Sequence, residues 1–241
     1  MTGISRRELA ALGAASVAAV ALAKGSAAVA SEPRVGPGKT KLSAEQALTR
    51  LREGNARFVR DDKEVADIST KRRLELAKGQ GPFAALIGCA DSRVGPEHLF
   101  GAGLGELFIV RTAGNYVDDA GFGSIAYAVA ELGVPLIVVM GHERCGAVAA
   151  AAAVVDQNVQ LPVSLSRMVE PILPAVISAR ASLKAGENLV DAAIRANVRR
   201  VTGKLRYHSD PIIGEPVRVK KVMVVGAYYD LETGAVDFFD L

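Results

Sequence analysis

The sequence predicts a single α/β domain: a mostly parallel central sheet, four parallel strands plus an antiparallel edge strand, flanked by helices and preceded by an N-terminal helical arm. Three observations lead there. Phe83–Gly88, Glu106–Val110, Pro135–Met140 and Val219–Ala227 are short apolar runs rich in Val, Ile and Leu. Runs without polar alternation mark strands buried on both faces, which belong to parallel sheets. Segments with helical character lie between these runs, and strand–helix alternation is the signature of parallel crossover units. Finally, Ala235–Phe239 follows the turn Glu232-Thr233-Gly234 too closely for a crossover, so it returns as the antiparallel edge.

The elements follow in order. Residues 1–30 read as an export signal: the twin-arginine pattern Ser5-Arg6-Arg7-Glu8-Leu9, an uncharged apolar run over Leu9–Ala23, and the small-residue cleavage site Ala28-Val29-Ala30. The run is about 15 residues, short of the ~20 a spanning helix needs. A mature start near Ser31, a periplasmic or secreted location and no membrane anchor after cleavage are therefore expected. Residues 31–41 are a Pro/Gly linker, and residues 42–241 the folded domain. Ser43-Ala44-Glu45-Gln46 is a capping box opening a helix to about Val59, with Ala47, Leu48, Leu51 and Phe58 on one face. A helix over Thr70–Lys78 closes at Gly79. Further helices are expected at Pro96–Phe100, Gly121–Leu132, Arg144–Val155, Val163–Leu183 and Glu187–Thr202, with Pro171 and Pro174 breaking or kinking the fourth of these.

The chain has 241 residues, half of them hydrophobic, enough for one sizeable core, and Trp is absent. The formal charge is +3; without residues 1–30 it is +1, with 26 bases against 25 acids. So balanced a surface gives no reason to expect nucleic acid or an anionic membrane as partner. Arg199, Arg200, Lys204 and Arg206 read as a solvated helix face. Gly101-Ala102-Gly103-Leu104-Gly105 precedes a strand instead of a helix, so it is a turn and not a nucleotide loop.

Chemistry concentrates at Cys89, His142 and Cys145. These are the chain's two cysteines and one of its three histidines. Two thiolates and an imidazole make three ligands of a four-coordinate zinc and leave one position for water or substrate, as in catalytic sites. In an oxidising compartment a Cys89–Cys145 disulfide is the competing reading; Asp91, Arg93 and His142 beside the cysteines favour metal. Cys89 ends the first strand and His142 follows the third, so both lie at carboxyl ends of parallel strands, where open sheets place ligands. Cys145 falls on the first turn of the next helix, whose N-terminal dipole favours a thiolate. Two thiolates weaken zinc as an acid relative to three histidines, so activity should rise into alkaline pH. Asp91 can orient zinc-bound hydroxide or occupy the fourth position itself, and Arg93 can hold it away by a bidentate pair.

These residues resemble the β-class carbonic anhydrases over nearly all of residues 42–241. Cys89-Ala90-Asp91-Ser92-Arg93 with His142-Glu143-Arg144-Cys145-Gly146 is a specific motif pair, and Glu106–Asn115, Gly133–Gly141 and Gly226–Asp230 match as well. The resemblance implies one Zn2+ per subunit, held by Cys89, His142 and Cys145, and reversible hydration of carbon dioxide to bicarbonate and a proton. It makes Asp91 and Arg93 the orienting dyad, Gln80 the substrate-side amide, and Phe108, Ala113 and Tyr127 the apolar pocket. It also implies a homodimer or higher homo-oligomer, in which the first helix embraces the neighbour. The sequence alone equally allows that helix to pack on its own subunit.

One departure is Leu86, three residues before Cys89, where bicarbonate-inhibited members of the class carry Trp; an open site is therefore expected. Glu143 and Arg144 read as solvated, and His98 and His208 as packed or surface histidines more than as proton relays. Two other functions stay on the page: a carbonyl sulfide or carbon disulfide hydrolase on the same fold, and a non-catalytic zinc-binding protein. Intact Asp91, Arg93 and Gln80 speak against the last.

Overall fold

The computed structural model describes residues 38–62 and 66–241, all within one compact unit spanning Arg34–Leu241. The twin-arginine segment, the cleavage site and most of the linker lie outside the described residues. Five strands, β1 (Ala84–Cys89), β2 (Leu107–Thr112), β3 (Leu136–His142), β4 (Met223–Tyr229) and β5 (Val236–Asp240), form one sheet in the order β2-β1-β3-β4-β5. The first four are parallel and β5 is antiparallel to β4, as the sequence predicts. Period-two geometry sends odd and even residues of each strand to opposite faces. Ala85, Ile87, Ile137 and Val139 pack with α4 (Asp119–Ala130), α9 (Pro211–Arg218) and the later turns of α8 (Leu189–Arg206). Ala84, Leu86, Leu136, Val138 and Met140 pack with α1 (Ala44–Val59) and α3 (Pro96–Leu99). Both faces are covered, which is why β1 and β3 read as continuous apolar runs.

The capping box forms as read: Ser43 Oγ accepts from Gln46 N at 3.2 Å, and Gln46 Oε1 accepts from Ser43 N at 2.8 Å. The helix it starts lies on the sheet of its own chain through Ala47, Leu48 and Leu51. Gly54 lets it approach: a Cβ there would stand 2.1 Å from the carbonyl oxygen of Phe100. The short α2 (Thr70–Leu76) follows. The proline-interrupted segment breaks as expected, into α6 (Val163–Val169), a 3₁₀ turn over Glu170–Ile172, and α7 (Leu173–Ser182).

Several boundaries shift by a few residues, the helix expected to stop at Thr202 running on to Arg206, and two shifts have a clear structural cause. The fourth strand begins at Met223 instead of Val219, because α9 occupies Pro211–Arg218. Gly214 and Pro216 inside that helix hide it from sequence reading. Tertiary contact holds it: Ile213 is buried, and the Cα of Gly214 sits against the His208 carbonyl. The helix after β3, α5 (Gly146–Gln157), begins past Cys145, which is its N-cap and not part of its first turn. Arg144, at φ +52°, is left-handed and breaks the backbone there.

From β1 the chain crosses to β2 on one side, while β3 lies on the other. The strand order therefore reverses between β1 and β3, and their carboxyl ends border the crevice where α/β sheets bind ligands.

Candidate metal centre

That crevice holds Cys89 at the end of β1, His142 at the end of β3 and Cys145 at the cap of α5. All three are buried, and their ligand atoms lie within 4.8 Å of one another. Both cysteines are free, with sulfurs 3.9 Å apart, far beyond the ~2.05 Å of a disulfide. Two Zn–S bonds of ~2.3 Å at a tetrahedral angle would set the sulfurs ~3.8 Å apart, so the spacing suits that ion without rearrangement. The Nδ1 of His142 lies 2.9 Å from the Glu143 carbonyl, and its Nε2 is buried with no hydrogen-bond partner. The carbonyl can only accept, so the proton is assigned to Nδ1 and a bare lone pair to Nε2, as a metal ligand requires. An orphaned buried nitrogen beside two thiols is costly unless a cation meets it. The donor set fits zinc.

The sulfurs divide the charge unequally. The neighbouring Cys145 sulfur, 3.9 Å away, holds the Cys89 thiol well below its ordinary range against burial, and the Gly114 amide, 3.3 Å from Cys89 Sγ, acts in the same direction. The Cys89 sulfur, with burial, pushes Cys145 up, while the Ala147 and Val148 amides at the start of α5 oppose that rise. Binding a divalent cation requires both sulfurs as thiolates, so it would release whatever proton the pair carries.

Asp91 and Arg93 form the expected fork: Nε to Oδ1 at 2.9 Å and Nη2 to Oδ2 at 2.7 Å, with the Arg93 backbone N–H on Oδ1 at 2.9 Å. Arg93 holds the Asp91 carboxyl far below the usual range, against its partial burial. Asp91 Oδ2 lies 3.9 Å from His142 Nε2, so the carboxylate stands at the edge of the ligand group.

The predicted pocket residues divide. Ala113 packs with the cluster that contains both cysteines. Phe108 and Tyr127 meet each other, ring centroids 6.4 Å apart, on the β2 side of the sheet. Phe108 is four positions before Thr112, the partner of Cys89, hence roughly 13 Å away along the strand. Gln80 is exposed just before β1. A groove of about 980 Å³ between α7 and α8 shares no residue with the ligand group. Of the other histidines, His98 is exposed and His208 stacks on Phe122 at 4.6 Å. Neither joins the ligand group.

Several residues do more than sequence reading allowed. Arg111 donates to the carbonyls of Cys89 at 2.8 Å and Asp91 at 2.7 Å, pinning the loop between ligand and dyad; a lone charge inside an apolar strand was the available signal. Glu143 is not freely solvated: its carboxylate accepts from Leu231 N at 3.1 Å and pairs with Arg144. Arg206 donates to the Val224 carbonyl and to Asp240, so it too leaves the solvated face.

Comparison with known proteins agrees with this geometry. Residues 84–236 match the family model described as carbonic anhydrase. Carbonic anhydrase 2 of Mycobacterium tuberculosis is 42% identical over 185 residues, 76% of this chain and 87% of that protein. The carbonic anhydrase of Mycolicibacterium smegmatis is 39% identical over 202 residues, 83% and 94%. Among solved structures, a tetrameric β-carbonic anhydrase of Sordaria macrospora aligns with TM-score 0.62 at 26% identity, covering 69% of this chain and 85% of that one. The Coccomyxa β-carbonic anhydrase in complex with acetazolamide aligns with TM-score 0.60 at 28% identity, covering 69% and 75%. With the matched family model covering most of the chain, and a Cys-His-Cys group at its sheet's switch point, the protein belongs to the carbonic anhydrase family, in its β class.

Proposed function

We propose that this enzyme catalyses the reversible hydration of carbon dioxide to bicarbonate and a proton, with one zinc ion held by Cys89, His142 and Cys145. The observation that carries this is the unpartnered His142 Nε2 beside two sulfurs at tetrahedral spacing, with an ionised carboxylate at the edge. Zinc supplies the Lewis acidity that makes water a nucleophile near neutral pH. Asp91, kept ionised by Arg93, is acceptor-only, so it takes a hydrogen bond from the attacking water and turns a lone pair towards the carbon. Arg93 also keeps that carboxylate from closing on the metal ligands, in keeping with Leu86 where inhibited relatives carry Trp. Ala113 offers an apolar wall suited to a substrate without a dipole, and Gln80 serves as the substrate-side donor.

The chain functions as a homodimer or larger assembly. The fungal relative is tetrameric by its description. Here β2 is a sheet edge with half-buried apolar residues, and Tyr127 beside it is 49% exposed. Bare edges of this kind are ordinarily covered, and a second copy packed there would bring Phe108 and Tyr127 to line its site. Residues 1–30 act as a twin-arginine export signal, leaving a mature enzyme that starts near Ser31 outside the inner membrane. No helix among the described residues is long and apolar enough to cross a membrane.

Metal analysis alongside stopped-flow hydration across pH 6.5–9 tests the main reading. One zinc per chain and hydration rising with pH are expected. A preparation without metal, or one that hydrolyses carbonyl sulfide or carbon disulfide while leaving carbon dioxide untouched, overturns it. Sedimentation reads the assembly, and N-terminal sequencing of exported protein reads the cleavage site.

A further inference from the structure

We propose that Asn197, on α8, is a positioning residue for the metal centre: it anchors the Gly114 carbonyl and so fixes the backbone of that residue, whose own N–H, on the preceding peptide, points at the Cys89 sulfur. The chain of contacts is short. Asn197 Nδ2 donates to the Gly114 carbonyl at 2.8 Å. On the same residue the Gly114 N–H donates to Cys89 Sγ at 3.3 Å.

Local geometry makes this peptide dependent on an outside anchor. Gly114 has φ +78° and Asn115 φ +45°, two successive left-handed residues of the two types that adopt this conformation most readily. A Cβ on Gly114 would stand 2.4 Å from Ile172 Cδ1 and 3.2 Å from Ala147 Cβ, so only glycine brings the backbone this close. The Asn115 N–H to Thr112 carbonyl bond, at 3.1 Å, closes the turn from the strand side, and Asn197 holds it from the helix side.

Packing does not account for Asn197. It is 1% exposed, between the buried Ile194, Val198 and Val201 of its own helix, and its Oδ1 has no hydrogen-bond partner. A buried amide with one half unpaired is a net cost that an apolar residue of similar volume would avoid. The bond to Gly114 is what the position gains.

An N–H bond to a thiolate draws charge from sulfur and fixes the direction of its lone pairs. Both set how strongly Cys89 donates to a bound cation, and groups that orient metal ligands typically contribute 10–100-fold in affinity or activity. This inference rests on the metal reading above.

The test compares purified wild type with Asn197→Leu, Asn197→Gln and Ile194→Val. Zinc affinity is read by chelator competition, and the sulfur-to-metal charge-transfer band is read after cobalt substitution. Asn197→Leu should lose roughly tenfold in affinity and shift the band. Asn197→Gln, which keeps a carboxamide donor, should retain both. Ile194 packs in the cluster that holds both cysteines, so Ile194→Val loosens packing there while the Asn197–Gly114 bond stays in place, and it should leave both unchanged. The inference fails if folded Asn197→Leu matches wild type in both readouts, or if Ile194→Val moves them equally. Should Asn197→Leu not fold, Asn197→Ala decides in its place: a loss of roughly tenfold with a shifted band supports the inference, and wild-type values in folded protein overturn it. A wild type that binds neither zinc nor cobalt defeats the metal reading instead.

Discussion

Replacing Asp91 by Asn separates the chemistry of the site from its stability. The carboxylate accepts three hydrogen bonds from Arg93, at 2.9, 2.9 and 2.7 Å. Asn keeps an oxygen for two of them and turns an NH2 towards Nη2, donor against donor, so half of the fork is lost. The Arg93 side chain is 52% exposed, and water replaces what it loses. An exposed pair contributes little, so the melting temperature should move by no more than about 4 °C. The catalytic consequence is larger, because the amide that replaces Oδ2 cannot accept a hydrogen bond from the attacking water. A positioned acceptor of this kind typically contributes 10²–10⁴-fold, or about 3–5 kcal/mol of barrier. Stopped-flow hydration at pH 8.5 with zinc content measured on the same sample is the assay. If kcat/KM stayed within twofold of the parent at equal zinc occupancy, the orienting role of Asp91 would be refuted.

Gly54→Ala drives a methyl against the Phe100 carbonyl, and backbone cannot yield as a flexible side chain can. It should destabilise by at least about 3 kcal/mol, seen as a fall of roughly 6–12 °C in thermal melting; an unchanged Tm would mean α1 is not seated as described. Acid should unfold the protein. Arg93 depresses Asp91, the Thr233 backbone N–H depresses Asp230, and at Asp240 the opposing burial is outweighed by Thr202 and Arg206. Depressed folded values contribute stability above the unfolded carboxylate value of ~3.9, lost as pH falls through them. Urea midpoints should therefore hold between pH 5 and 8 and drop below about pH 4, and a midpoint that rose on acidification would contradict this. Chelation should expose two thiols 3.9 Å apart. Oxidised glutathione should then lower the thiol titre from two towards zero through an internal disulfide, while zinc-loaded protein resists; equal loss in both forms would argue against metal protection.

The sheet was legible because its strands are buried on both faces, and burial leaves the same mark on any window of sequence. Breaks at Pro171 and Pro174 were legible because proline acts locally. Helix α9 was not: Gly214 and Pro216 oppose a helix, and only Ile213 in the core and the cap at Asp210 restore it. Cys145 was misplaced by one step because the left-handed Arg144 is set by packing around Glu143 and Glu232, not by its own preference. Asn197 escaped sequence reading: it is a polar residue within the buried stripe Ile194, Val198, Val201 and Leu205, and nothing near it in sequence names Gly114 as its partner.

The order of residues alone determined which atoms can hold the ion, because donor chemistry belongs to the side chain: two thiols, one imidazole, and a carboxylate two positions from a cysteine. Folding decided how those atoms stand. Their 3.9 Å sulfur spacing, the buried bare nitrogen of His142 and the Gly114 N–H on Cys89 depend on strand register and helix placement. Those are fixed by contacts between residues tens to over a hundred positions apart, which no local pattern records.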